Sequence, residues 1–167
     1  LSLWLEKNID KVSKVVSEIK ETITFLREKD IIHFDVHLKN IVTDGEKSYL
    51  TDFGLVLDIN FDLNEKEKAF FKQNLYYDYA EFLFCIGWEI FSIYKNKDIK
   101  HKLNNYGITD KMKPYESFII FLKNIEEIYA DWILKIDLNY VDIIRKYHEI
   151  IILIGKFFEE IMRNNKK

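Results

Sequence analysis

Two carboxylates and one amide lie close together in the sequence, at a spacing that suits magnesium and phosphate chemistry. Asp35 is followed five residues later by Asn40, and Asp52 comes shortly after. Carboxylate and amide oxygens are ligands that Mg²⁺ accepts readily. A further carboxylate beside a bound phosphate can orient an attacking hydroxyl or accept its proton. These residue types predict phosphoryl-transfer chemistry, provided that the fold brings the three groups together.

A β-hairpin predicted over residues 41–51 would bring Asn40 and Asp52 together. An Asp-Gly pair separates two short β-prone runs, and glycine tolerates the positive φ of a tight turn. The expected register places Ile41 opposite Leu50. Asn40 and Asp52 then emerge side by side at the open end of the hairpin.

Segment 33–40, His-Phe-Asp-Val-His-Leu-Lys-Asn, and the Asp-Phe-Gly at 52–54 resemble two motifs of the protein-kinase-like superfamily. In that family they are the catalytic loop and the metal-binding turn. The resemblance implies that residues 1–167 form a kinase C-terminal lobe, which is α+β, mostly helical, with a small β-hairpin. It also implies an ATP-dependent phosphotransferase that uses Mg²⁺ and a hydroxyl-bearing acceptor.

The resemblance implies roles for the residues that match these motifs. Asp35 would be the catalytic base or orienter, with His37 as a second catalytic residue beside it. Asn40 and Asp52 would be the metal ligands. Together with Phe53-Gly54 they would form the set that binds ATP and Mg²⁺.

Two further residues would support the site without taking part in the chemistry. His33 would pack the loop against the Asp-Phe-Gly turn. Asp78, near the start of the central helix, would bind the backbone of the loop. The alternative for Asp78 is that it only caps its own helix.

The motifs mix two branches of the superfamily. Phe34 stands where protein kinases usually carry an Arg that pairs with a phosphorylated activation loop, which argues against that switch. His37 replaces a usual Lys and is typical of aminoglycoside- and choline-kinase-like proteins. The Asp-Phe-Gly-Leu at 52–55 is written as in protein kinases, but no Ala-Pro-Glu follows it. We favour a protein Ser/Thr kinase-like function, with a small-molecule kinase as the alternative.

Two other function classes stay open at this point. His33, Asp35 and His37 alternate, so an extended segment would present them on one face as a zinc or iron set for a metallohydrolase. That alternative leaves Asn40 and the Asp-Phe-Gly unexplained. The chain could also be a pseudokinase that acts as an interaction module, although such a module gains little from three clustered oxygen groups.

The segments with which kinases grip ATP have no counterpart in this sequence. Only 32 residues precede His33, and none of the five glycines belongs to a Gly-x-Gly arrangement. We therefore expect no N-terminal lobe in this chain, and no Gly-rich loop or ATP-anchoring Lys. The missing lobe would come from upstream sequence or from another chain, and the isolated chain is expected to be inactive.

Composition places the chain among ordered globular domains. Its 167 residues are 48% hydrophobic and 16% aromatic, which is enough for one domain with a substantial core. A formal net charge of −3 predicts neither nucleic-acid nor membrane partners. Cys85 is the only cysteine, so a reducing, cytoplasmic compartment is expected.

Apolar periodicity and cap residues predict the remaining elements. A buried strand over 31–32 would deliver Asp35 to the hairpin's open end. The predicted helices are 11–29 with Asp10 as N-cap, 65–73 with Asn64 as N-cap and Ala69 and Phe70 on its apolar side, the central helix 77–94, and C-terminal helices 115–130 and 140–163 within 115–163.

Overall fold

The computed structural model describes residues 1–96 and 100–164, and this part of the chain is α+β and mostly helical, as predicted. The helices are α1 Ser2–Lys7, α2 Val12–Glu28, α3 Glu65–Gln73, α4 Tyr77–Lys95, α5 Lys100–Leu103, α6 Pro114–Lys123, α7 Ile125–Ala130 and α8 Leu138–Asn164. The strands are β1 Ile31–Ile32, β2 Ile41–Thr43, β3 Ser48–Leu50 and β4 Leu57–Asp58.

Helix α2 buries the apolar face that its sequence predicts. The buried residues recur every three or four positions and are Val12, Val15, Val16, Ile19, Ile23 and Leu26. The predicted N-cap is wrong. Buried Ile9 anchors a 3₁₀ turn over Ile9–Lys11, so Asp10 lies inside that turn and Lys11 occupies the N-cap position without a side-chain bond.

The hairpin forms with the predicted register. Ile41 pairs with Leu50, and Gly45 at the turn has a φ of 95° that few other residues adopt. A second two-stranded sheet pairs β1 with β4, which lies just beyond the Asp-Phe-Gly turn. The sequence does not predict β4, because a two-residue strand carries no detectable periodicity.

Helix α4 is the central element, and the C-terminal helices pack closely against it. Gly155 of α8 lies so close to the neighbouring helices that an added Cβ would come within 2.5 Å of the Tyr115 ring and 2.8 Å of the Phe84 ring. The Tyr115 hydroxyl also donates to the carbonyl of Ile152 at 2.6 Å. At Gly155, helices α4, α6 and α8 therefore approach more closely than any larger residue would allow.

Two helix predictions need correction. The predicted helix 115–130 is two helices, α6 and α7, because the chain bends at Asn124, whose side chain donates to the carbonyl of Ile120 at 2.8 Å. Asn64 caps α3 as predicted, but the helix buries Phe71, while Ala69 and Phe70 are not buried. Within residues 1–96 and 100–164, no helix combines the length and apolar character needed to cross a membrane.

Candidate active site

Segment 33–40 is held from within the core by a carboxylate of the central helix. Asp78 accepts hydrogen bonds from the backbone N–H groups of His33 and Phe34, both at 2.8 Å. The N-cap of α4 is Tyr76, which makes no side-chain cap bond. Of the two roles considered for Asp78, the structure therefore gives it hydrogen bonds to the loop backbone. These bonds hold Phe34 at a φ of 61°, a conformation that non-glycine residues seldom adopt.

A second carboxylate on α4 holds the same segment, and sequence reasoning missed it. Glu81 lies one turn beyond Asp78 and accepts a hydrogen bond from the N–H of Val36 at 2.9 Å. It is only 5% exposed, although glutamate is seldom buried without a partner. The signal that could have identified it is an acidic residue inside an otherwise apolar run, three positions after Asp78 and so on the same helix face.

Asp35 and Asn40 are in direct contact. The amide nitrogen Nδ2 of Asn40 donates to Asp35 Oδ2 at 2.8 Å and to the Asp35 carbonyl at 3.0 Å. Because the NH₂ group is turned toward Asp35, the amide oxygen of Asn40 is turned away from it. A buried asparagine thus presents its oxygen, the atom that suits a hard cation, in a fixed direction.

His37 completes the surroundings of the Asp35 carboxylate. Its Nε2 lies 3.3 Å from Asp35 Oδ1, so both oxygens of that carboxylate face nitrogen atoms. His37 Nδ1 is buried and has no hydrogen-bond partner among the described residues.

His33 contacts the turn rather than the other candidate ligands. Its Nε2 lies 3.1 Å from the carbonyl oxygen of Thr51, and its ring meets that of Phe53 edge-on at 4.8 Å. In the described part of the chain, no group of three or more His, Cys, Asp or Glu residues could hold a metal. The zinc or iron set considered for His33, Asp35 and His37 is therefore not formed, because the segment bends at Phe34 and directs His33 inward.

The turn 52–54 is joined to Asn40 by Thr51. The N–H and Oγ1 of Thr51 both donate to the Asn40 carbonyl, at 2.8 and 2.9 Å. Asp52 follows at once as an exposed residue with a φ of 60°, and its Oδ1 accepts from the N–H of Gly54 at 3.4 Å. A Cβ at position 54 would lie 3.2 Å from that oxygen, so glycine leaves the carboxylate its space.

Four carboxylates lie in or directly behind this site, on Asp35, Asp52, Asp78 and Glu81. Burial raises the pKa of Asp78, while the hydrogen bonds from the N–H groups of His33 and Phe34 lower it. Burial also raises the pKa of Glu81 to about 7, and the charges of Asp35 and Asp78 add to the effect, while the Val36 N–H opposes it.

An apolar groove of about 580 Å³ is lined in part by Phe34, the residue that precedes Asp35. Its walls include Phe34 and Phe70, whose rings stack at 5.5 Å, and Leu55, which follows the turn 52–54. One cation and one anion, Lys66 and Glu67, also line it. The groove could therefore take a largely uncharged part of a ligand whose reacting group reaches Asp35.

Comparison of this chain with protein-family models, with curated proteins and with solved structures found no match. Any function assigned to the chain therefore depends on the geometry of segment 33–40, the turn 52–54 and the apolar groove.

Proposed function

We propose that this chain is the C-terminal lobe of a protein-kinase-like phosphotransferase, which transfers a phosphoryl group from ATP to a hydroxyl of a protein Ser or Thr. One observation carries the proposal. The side-chain amide of Asn40 donates to both the carbonyl and the carboxylate of Asp35. The backbone carbonyl of Asn40 accepts from Thr51, which fixes the position of the chain just before Asp52. The three oxygen-bearing residues of the motif thus belong to one connected arrangement.

Asn40 and Asp52 would be the residues that hold a magnesium ion. Asn40 offers a neutral amide oxygen with a fixed direction, and Asp52 offers an exposed carboxylate. Both are hard oxygen ligands, and Mg²⁺ normally keeps several waters or phosphate oxygens in addition to one or two protein ligands. A bound Mg²⁺ would neutralise phosphate charge during transfer. Gly54 keeps the space beside Asp52 open, and Phe53 anchors the turn on His33.

Asp35 would orient the acceptor hydroxyl and receive its proton. Its Oδ2 is held by Asn40, so Oδ1 is the oxygen left for the acceptor, with His37 Nε2 beside it. An N–H on His37 Nε2, which lies 3.3 Å from Oδ1, would stabilise negative charge there and would make Asp35 a better orienter than base.

The apolar groove favours a protein acceptor over a polycationic small molecule. An aminoglycoside carries several positive charges and needs an acidic lining, whereas Glu67 in the groove is balanced by Lys66. A small-molecule kinase stays the second candidate because His37, the residue typical of that branch, lies against Asp35.

The nucleotide-gripping part would come from upstream sequence or from another chain. Residues 1–32 form α1, a 3₁₀ turn, α2 and β1, which are elements that support the site rather than a second lobe. We expect the isolated chain to bind ATP weakly, because the phosphates would be covered on one side only. Calorimetric titration of the chain with Mg–ATP checks this, and micromolar affinity would contradict it.

The test of the proposed function is ATP turnover by the protein together with its upstream sequence or partner lobe. We expect Asp52→Ala to lower turnover by about a hundredfold or more, because it removes a metal ligand. Asp62→Ala, an exposed aspartate outside the motif, is the matched control and should leave turnover unchanged. Turnover that survives Asp52→Ala would remove the metal assignment, and a complete lack of turnover in the wild type would favour the pseudokinase module.

A further inference from the structure

One peptide group in the site is held at both ends. It is the peptide that joins Asp35 to Val36. Its carbonyl oxygen accepts from Asn40 Nδ2 at 3.0 Å, and its N–H donates to Glu81 Oε2 at 2.9 Å. Rotation of this peptide plane would break one of the two bonds that orient the Asn40 amide, the other being its bond to Asp35 Oδ2. The Asn40 amide in turn holds the Asp35 carboxylate, so the orientation of both side chains is linked to a carboxylate of helix α4.

This carboxylate is unfavourably placed for helix packing. Glu81 is followed by fully buried Phe82 and Leu83, and its charge lies near those of Asp35 and Asp78. Burial of a carboxylate among other carboxylates disfavours its charged form. A neutral residue would suit the helix better, so the position breaks a packing rule of the kind that proteins break at functional sites.

We propose that Glu81 is a positioning residue of this site, which fixes the peptide plane between Asp35 and Val36 and thereby the directions of the Asp35 carboxylate and the Asn40 amide. The structural part of this proposal stands on the hydrogen bonds alone. Only its consequence for phosphoryl transfer rests on the proposed function.

The strength of this hold depends on the protonation of Glu81. An ionised carboxylate accepts a hydrogen bond about twice as strongly as a neutral one. Because the pKa of Glu81 is raised to about 7, the Val36 bond strengthens as pH rises through neutrality. The titratable groups that act on Glu81 or feel its charge are Asp35, Asp78, Tyr77 and Cys85.

The experiment measures amide hydrogen exchange at Val36 by NMR in the described chain, on both sides of the Glu81 pKa. It compares the wild type with Glu81→Gln, Glu81→Leu and the control Glu89→Gln on the same helix. Exchange of the Val36 amide by local opening, with Glu81 still buried, should be slower at high pH in the wild type, after correction for intrinsic exchange. In Glu81→Gln the Val36 amide should keep a weaker protection that no longer changes with pH. In Glu81→Leu the protection factor of Val36 should fall about tenfold or more.

A second readout separates positioning from simple stabilisation of the fold. The side-chain NH₂ signals of Asn40 should shift with pH in the wild type and stay constant in Glu81→Gln, since Asn40 is bound to the other end of the same peptide. If Glu81→Leu fails to fold, the comparison of wild type with Glu81→Gln decides the matter.

The proposal is overturned if Val36 protection has the same pH profile in Glu81→Gln as in the wild type, or if Glu89→Gln lowers it equally. These outcomes do not depend on ATP. A protein that turns over no ATP but shows the Val36 titration would refute the proposed function and retain Glu81 as the residue that positions Asp35. A protein that turns over ATP but shows no Val36 titration would retain the proposed function and refute the positioning role of Glu81.

Discussion

The two sides of the candidate site are built differently. Segment 33–40 is held by distant parts of the chain, through Asp78 and Glu81 of α4 and through the hairpin. The facing segment 52–70 is mostly exposed and is held mainly by short-range bonds, such as that between Asp52 and Gly54. One side is therefore preorganised, and the other can adjust to a ligand or a partner lobe.

The difference shows which side of the site can tolerate backbone motion. Asp35 and Asn40 must meet an acceptor and a metal in a set geometry, so their backbone is fixed from within the core. The exposed side, including Phe53 at 49% and Leu55 at 64% exposed, offers apolar surface that a further element could cover. Among the regular elements, the short pairing of β1 with β4 ties that side to the rest of the fold.

The largest effect should come from breaking the fixed side. Asp78→Ala leaves the buried N–H of His33 and the partly buried N–H of Phe34 without their carboxylate partner, and the loss of a buried hydrogen bond costs about 1–3 kcal/mol. We expect the free energy of unfolding to fall by about 2–5 kcal/mol in urea denaturation. Asp142→Ala, an exposed aspartate that pairs with Arg145 on α8, should change it by less than about 0.5 kcal/mol. Equal effects would show that Asp78 does not hold the segment.

The next effect concerns pH. Folding raises the pKa of Glu81 from 4.5 to about 7, so the folded state binds a proton more tightly than the unfolded chain. The contribution of this group to the free energy of unfolding therefore falls as pH rises from 4.5 to about 7. Glutamine has no carboxyl proton to lose. The free energy of unfolding of Glu81→Gln, relative to that of the wild type, should therefore rise by about 1–3 kcal/mol from acidic to alkaline pH. Parallel stability curves for the two proteins across this range would refute this.

A smaller and local effect should follow on the adjustable side. Asn64 and Glu67 form a capping box at the start of α3, with the Asn64 side chain accepting from Lys66 and Glu67 and the Glu67 side chain accepting from Asn64. Asn64→Ala should weaken α3 by about 1 kcal/mol and speed amide exchange there, without changing exchange in segment 33–40. Lys72→Ala is the control on the same helix. Faster exchange on both sides would mean that they open together.

The smallest effect on stability should come from the residue with the largest expected effect on activity. Asp52 is exposed, so Asp52→Ala should leave the free energy of unfolding within about 0.5 kcal/mol of the wild type. Urea denaturation checks this. A loss comparable to that of Asp78→Ala would make Asp52 part of the fixed side and contradict the division of the site into two sides.

Local signals allowed the hairpin, the face of α2 and the cap of α3 to be predicted, because each is encoded within a few residues. Two features that depend on distant partners were missed, whereas the contact of Asp78 with the loop was expected only from the family resemblance. Glu81 has its partner 45 residues away, and β1 meets β4 across the whole hairpin. The predictions of Asp10 as N-cap and of one helix over 115–130 failed for another reason. A residue suited to capping did not exclude the 3₁₀ turn at Ile9–Lys11, and a periodic apolar pattern did not exclude the bend at Asn124.

The 45-residue separation between Asp78 and the backbone that it holds also has a consequence for folding. During synthesis, residues 33–54, which carry both motifs, leave the ribosome well before α4. During that interval the backbone of segment 33–40 lacks the carboxylate of Asp78 that holds it. Such distant closure is slow and cooperative compared with helix formation. A fragment that ends before Tyr77 should carry every recognisable letter of the motif and still lack a working cleft.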